Sequence, residues 1–309
     1  MDRIASLSRH ESPALRGAAF MVLAGVSYAM VNVFTQWMTQ VAGVPSTAVA
    51  FYQYFFALVF AVPWLWREGR AALATRHLGL HIVRAILSAA GVQAFVAALA
   101  AMPIAQVIAL VMTAPFFVVA GAGLFLGERI TGARLLTVLV GFCGAVLILE
   151  PWSAGFSPSA LLPVAAAILW AAVALMTKRL TLDEKPETIT VYLLLLLSPI
   201  NAVWFGLDGF VVPDPGSLIA LLGLGLVAGL SQYAVSRAYA LADATYLQPF
   251  DDLKLPLNIL LGWLVFAYAP GELFWVGALL ILGASLYNAT RDNRRTNARR
   301  GTRQIRLRS

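Results

Sequence analysis

The chain has 309 residues, 60% of them hydrophobic and only 12% charged, with a mean hydropathy of +0.80. A water-solvated globular domain is thereby excluded, because too few charged side chains are present to cover its surface. The net charge of +7 would suit a nucleic-acid partner in a soluble protein, but here the excess lies beside hydrophobic segments, where topology bias and attraction to anionic lipid account for it.

In chain order, the opening MDRIASLSRHESPALRG leads into an apolar stretch too long for a signal-peptide core and without a clear small-residue cleavage site, so it reads as a retained first span. Residues 17–66 and 85–127 contain no Asp, Glu, Lys or Arg, and each run is long enough for two crossings at about 20 residues per span. The same reading, carried along the chain, predicts ten transmembrane helices at 17–38, 46–66, 81–101, 104–126, 132–150, 159–177, 188–207, 217–239, 245–267 and 272–290. The expected fold class is an all-α integral membrane protein.

Positive charges set the orientation. Of 22 Lys and Arg residues, 21 fall on one side of the membrane under this topology: Arg3, Arg9 and Arg16; Arg67, Arg70, Arg76 and Arg84; Arg129 and Arg134; Lys178, Arg179 and Lys185; Arg237; and eight arginines from Arg291 to Arg308. The opposite connections carry only Glu150, Asp208, Asp214 and Glu272. This bias predicts cytoplasmic termini and a multi-pass protein of a bacterial cytoplasmic (inner) membrane. His10, His77 and His81 fall in inner connections, against a His-ligated metal or a His proton relay within the membrane. Cys143, the only cysteine, excludes a disulfide framework and a Cys-based metal site, and reads as a buried small residue. No metal or cofactor is expected.

The halves resemble one another. ALAAMPIAQVIALVMTAP (98–115) is similar to ALADATYLQPFDDLKLP (240–256), AGLFLGERI (122–130) to GWLVFAYAP (262–270), and each half closes on a Gly-punctuated span, LVGFCGAVLIL and VGALLILGASL. Five spans per half is an odd number, so the second copy enters the membrane in the opposite sense, as an inverted repeat with a binding site at mid-membrane. The expected organisation is an N-terminal cytoplasmic segment (1–16), repeats at 17–150 and 151–290, and a basic cytoplasmic tail (291–309).

LGER at 126–129 with the following GFCGAVLIL, and QPFDDLKLPLNILLGWLVF at 248–266 with VGALLILGASL, resemble the EamA-type proteins of the drug/metabolite transporter superfamily, built from ten helices in two five-helix repeats. The resemblance spans about 17 to 290. The family's Gly-Glu at the end of the penultimate helix is Ala267-Tyr268 here, and the basic residue often found early in helix 2 is Gln53.

Lys254 is the one cation inside a predicted span, and it follows Asp251 and Asp252. Charges within hydrocarbon cost several kcal/mol unless paired or hydrated. Asp251 and Lys254 are i,i+3 neighbours on a helix, so they read either as a neutralising pair that fixes packing or, with Asp252, as coupling residues of transport. Pro249 and Pro256 bracket the cluster and free backbone carbonyls, which are tolerated at membrane depth where they line a polar cavity. Tyr28, Asn32 and Gln36 form an i,i+4 stripe that is unfavourable against lipid, and with Gln53, Trp170 and Gln232 they are the candidate substrate-binding residues. Glu128 and Arg129 read as a cap and topology feature at the inner end of helix 4.

No HExxH, Gly-x-Ser-x-Gly or Walker motif is present, which disfavours the alternative of a membrane-embedded enzyme and leaves a secondary transporter of a small organic metabolite. The expected partners are a small-molecule substrate and membrane lipid, with no nucleic acid and a homodimer left open. The resemblance implies substrates among amino acids, nucleobase-like and sulfonium compounds, vitamins including riboflavin, and drugs, moved in either direction. The aromatic and amide candidates fit a planar, hydrogen-bonding solute, so the sharper expectation is uptake of a vitamin such as riboflavin, with export of amino acids or drugs as the alternative.

Overall fold

The computed structural model describes residues 13–69, 73–125, 131–242 and 244–287. Residues 1–12 of the N-terminal segment, the basic tail, and Glu128 and Arg129 of LGER lie outside the described residues. Within them the chain is all-helical: α1 Pro13–Gln40, α2 Ser46–Glu68, α3 Leu78–Ala101, α4 Ile104–Val111, α5 Ala114–Phe125, α6 Gly132–Leu149, α7 Leu162–Leu180, α8 Pro186–Leu207, α9 Pro215–Leu241, α10 Ala244–Asp251, α11 Lys254–Phe266 and α12 Glu272–Tyr287. Eight stretches are long and apolar enough to cross a membrane, the broken run Ile104–Leu124 among them, and Glu272–Tyr287 is a shorter apolar helix.

Helices dominate because hydrocarbon offers no partner to a backbone N–H or C=O, and a helix satisfies both internally. Proline marks many of the starts, since its missing donor is one the first turn does not use. α8 and α9 open on Pro186 and Pro215, and Asp214 caps α9 by accepting from the backbone N–H groups of Gly216 and Ser217 at 2.9 and 3.1 Å. The helix faces are inverted relative to a soluble protein. On α1 the exposed side is Leu15, Leu23, Val26, Met30, Phe34 and Trp37, while Gly17, Ala18, Ala24, Gly25 and Ala29 are buried, the pattern of helices that pack closely on small residues and offer bulk to lipid. Cys143 belongs to the lipid side: it is exposed on α6, so its reading as a buried residue was wrong.

Packing partners recur between the halves. α1 packs on α9 and α7 on α3, α2 on α9 and α8 on α3, α1 on α10 and α11, and α7 on α4 and α5. α6 and α12 cross at backbone contact. A Cβ on Gly144 would stand 2.6 Å from the Gly277 carbonyl oxygen and one on Gly277 2.5 Å from that of Gly144, with Ile281 against the first glycine and Ile148 against the second.

Both predicted helices 104–126 and 245–267 are broken rather than continuous. α3 ends at an extended Met102 (φ −149°, ψ 163°) and α9 at an extended Ala242 (φ −150°, ψ 156°); each is followed by an eight-residue helix, then a break at 112–113 or 252–253. Register at this point differs by one residue from an alignment on Pro115 and Pro256, because Pro115 is the second residue of α5 and Pro256 the third of α11. Val111 therefore stands where Asp251 does, and Met112 where Asp252 does.

Candidate functional site

The break between α10 and α11 follows from Pro256. It has no N–H to give the Asp252 carbonyl, which accepts instead from the Leu255 N–H at 3.2 Å and so tightens the chain into a turn. In the first half the same role falls to Thr113, whose hydroxyl and N–H both donate to the Leu110 carbonyl, at 2.6 and 3.1 Å. Across the second break Lys254 Nζ meets Asp251 Oδ2 at 2.7 Å, with the two side chains 34% and 31% exposed. The i,i+3 pair read from the sequence is thus formed. Asp252, inside the break, is buried to 7%.

Around this pair the structure gathers side chains from three helices. Tyr28 on α1 donates its hydroxyl proton to Gln232 Oε1 on α9 at 2.8 Å, and Tyr54, Tyr239 and Asp251 lie within electrostatic reach of it. Tyr239 is in turn within reach of Lys254. Neither Tyr239 nor the exposed Ser236 was a candidate from sequence, although Gln232, Ser236 and Tyr239 follow i, i+4, i+7 spacing and could have been recognised as one polar stripe.

The other members of the α1 stripe do different work. Asn32 Nδ2 donates to Asn258 Oδ1 at 3.1 Å, and Asn258, fully buried, donates to the Lys254 carbonyl at 2.6 Å. Asn32 therefore ties α1 to the start of α11, directly behind the charged pair. Gln36 is spent elsewhere: its Oε1 accepts the Ile104 N–H at 3.1 Å and its Nε2 donates to Gln40 Oε1 at 3.1 Å and to the Met102 carbonyl at 3.5 Å, so it caps α4.

Gln53 and Trp170 stand on the aromatic side. Gly225 lets α9 approach α2 so closely that an added Cβ would lie 2.4 Å from Phe56 Cβ, and Gln53, 8% exposed, forms no hydrogen bond with another described residue. Gly91 on α3 makes the equivalent room for Trp170, whose Nε1 would be 2.5 Å from a Cβ there. The indole lies 5.4 Å from the Phe95 ring and packs in one apolar cluster with Tyr54 and Val31.

A second polar cluster was missed. His81, assigned to a connection, lies in α3 and is fully buried, as is Arg84 to 2%. His81 Nε2 is 2.6 Å from Glu184 Oε2, its ring stacks on Tyr192 at 4.4 Å, and Arg84 donates to the Ile189 carbonyl at 2.5 Å and to Thr177 Oγ1 at 3.2 Å. Burial works to raise the Glu184 pKa, but hydrogen bonds with Thr75 and His81 prevail and hold it below the usual carboxylate range. The partner of His81, Glu184, is more than 100 residues away, which local sequence does not reveal.

Comparison with known proteins agrees with this architecture. The model of the EamA-like transporter family matches the chain twice, over residues 15–150 and 157–290. A riboflavin transporter of Rhizobium johnstonii is 52% identical over 94% of this chain and 96% of its own, and one of Vibrio cholerae is 44% identical over 87% and 91%. An S-adenosylmethionine uptake transporter of Rickettsia felis is 26% identical over 88% and 92%. A solved crystal structure, 19% identical, superposes with a TM-score of 0.59 over 88% of this chain and 94% of that one, a likeness of fold. With both halves matched and near relatives aligned end to end, the chain is a member of the EamA-like transporter family.

Proposed function

We propose that this protein is a secondary transporter that brings riboflavin into a bacterial cell across its cytoplasmic membrane. The observation that carries the reading is 44% to 52% identity, over most of each chain, to proteins named riboflavin transporters; the more distant S-adenosylmethionine transporter stands at 26%. The site suits such a solute. Riboflavin joins a planar fused ring to a flexible polyol; the Phe95–Trp170 rings, with Gln53 on the same aromatic side, suit the first, and the polar wall of Tyr28, Gln232, Tyr239 and the Asp251–Lys254 pair suits the second. Asn32 shapes that wall from behind.

Ten helices in two inverted repeats, 17–150 and 151–290, make the architecture of this reading, with α4–α5 and α10–α11 as the broken fourth and ninth spans. The double family match, the exchange of packing partners and the paired breaks support it. Both termini lie in the cytoplasm by the charge bias. Asp251, Asp252 and Lys254 are the coupling residues, with Asp252 the group whose protonation or cation contact accompanies solute movement.

The test is uptake of riboflavin by proteoliposomes holding the purified protein, followed by flavin fluorescence. Saturable entry that depends on the protein is the expected result. Entry no faster than in empty liposomes, with a folded protein, would overturn the substrate assignment.

A further inference from the structure

α4 and α10 occupy matching places in the two halves but are packed very differently. Under the proposed orientation α4 runs inward from the outer surface, and Ile104, Ala105, Val107, Ile108, Ala109 and Leu110 are all buried. α10 runs outward from the inner surface, and among its described side chains only Leu247 is buried. The preceding helices repeat the contrast. From Gly91 to Ala100 on α3 no residue is exposed, whereas at the end of α9 Gln232, Ser236 and Tyr239 are exposed on the stripe that includes the Tyr28 partner. Along the α9 stripe from Gly225 through Gly229 to Gln232, Ser236 and Tyr239, exposure grows toward the inner end. Gln232, Ser236 and Tyr239 are polar and stand near a charged pair, groups that water accommodates at far lower cost than hydrocarbon.

At the outer end α1 clamps the link between α3 and α4. Gln36 takes the Ile104 N–H, approaches the Met102 carbonyl and donates to Gln40, and Gln40 Nε2 donates to the Leu99 carbonyl at 2.9 Å. One α1 face thus holds the last carbonyls of α3 and the first donor of α4 together.

We infer that this is the inward-open arrangement, that Gln36 and Gln40 are positioning residues of an outer seal made by α4, and that opening to the outside exchanges the packing of α4 and α10. The inference rests on the proposed orientation and on transport as the function.

The test uses single cysteines on a Cys143→Ser background, titrated with a membrane-impermeant maleimide in sealed vesicles of either orientation. Ser153→Cys and Asp183→Cys report sidedness independently, and no substrate is needed, so a wrong orientation or a wrong solute cannot mimic failure of the seal. Ser236→Cys is expected to react from the inner side and Ala105→Cys to be silent. Adding Gln36→Leu orphans a buried backbone donor, and labelling of Ala105→Cys from outside should rise about tenfold. Labelling of Ser236→Cys from inside should fall in the same preparation, which mere loosening of the fold would not produce. Gln40→Ala, which leaves Ile104 capped, gives a smaller change in the same directions and carries the test if Gln36→Leu does not fold. Silence of Ala105→Cys in every folded variant, or a rise at both positions together, overturns the seal.

Discussion

Replacing Asn32 with Leu removes the donor that Asn258 Oδ1 accepts from at 3.1 Å. Asn258 cannot turn to another partner, because it is fully buried and its amide nitrogen is held on the Lys254 carbonyl at 2.6 Å. An interhelical hydrogen bond in a membrane protein contributes about 0.6 kcal/mol on average, whereas an orphaned buried acceptor costs about 1 to 3 kcal/mol. Asn32→Leu should therefore lose roughly 1.5 kcal/mol of unfolding free energy, near the lower half of that range. Asn258→Leu should lose a comparable amount, since it strands the buried Asn32 amide, while the Lys254 carbonyl keeps the backbone N–H of residue 258 one helical turn on. The double variant strands less, and its loss should fall short of the sum by about 1 kcal/mol. The measurement is reversible unfolding of purified protein in mixed micelles on addition of SDS, followed by helical circular dichroism. Riboflavin affinity of the folded single variants should change little. Additive losses would show that the two amides do not bridge α1 and α11, and a loss of affinity without a loss of stability would return Asn32 to direct contact with the solute.

Gln53→Ala and Trp170→Leu should weaken riboflavin binding with little change in melting temperature, measured by flavin quenching, and a lowered melting temperature at unchanged affinity would make both packing residues. Asp252→Asn should leave exchange of riboflavin across liposomes intact while abolishing accumulation against a gradient, so accumulation at the wild-type level would remove Asp252 from coupling. The depressed Glu184 pKa means that its stabilising contribution is present above the ordinary glutamate pKa and is lost as pH falls through the folded value. Melting curves followed downward from about pH 5, through the range below the ordinary glutamate pKa of about 4.3, should accordingly show an acid loss that Glu184→Gln reduces, and an unchanged loss in that variant refutes the assignment.

Eight apolar spans were legible because lipid demands long apolar runs whatever the tertiary structure. The Asp251–Lys254 pair was legible too, as an i,i+3 spacing inside one such run. Hydropathy could not locate the helix breaks, since the apolar run continues through Met112, and the prolines signal a break without fixing its register. Nor could it tell lipid from core, both apolar, and Cys143 fell on the wrong side for that reason. Gln36 shows a further limit: its spacing put it on one stripe with Tyr28 and Asn32, but only the arrival of Ile104 from another segment reveals that its amide is already occupied. His81 and Arg84 depended likewise on Glu184 and Ile189 from the second half.

The crossing of α6 and α12 is reciprocal: Gly144 faces Gly277 and Ile281, while Gly277 faces Gly144 and Ile148. GAVLIL and GALLIL, the segments that meet, are nearly the same six residues. A contact whose two sides present the same atoms is one that either half could make with a second copy of itself running the other way. The connection between the halves carries none of these contacts, so a protein cut after Glu150 and expressed as two chains keeps the whole surface on which the pieces would find each other.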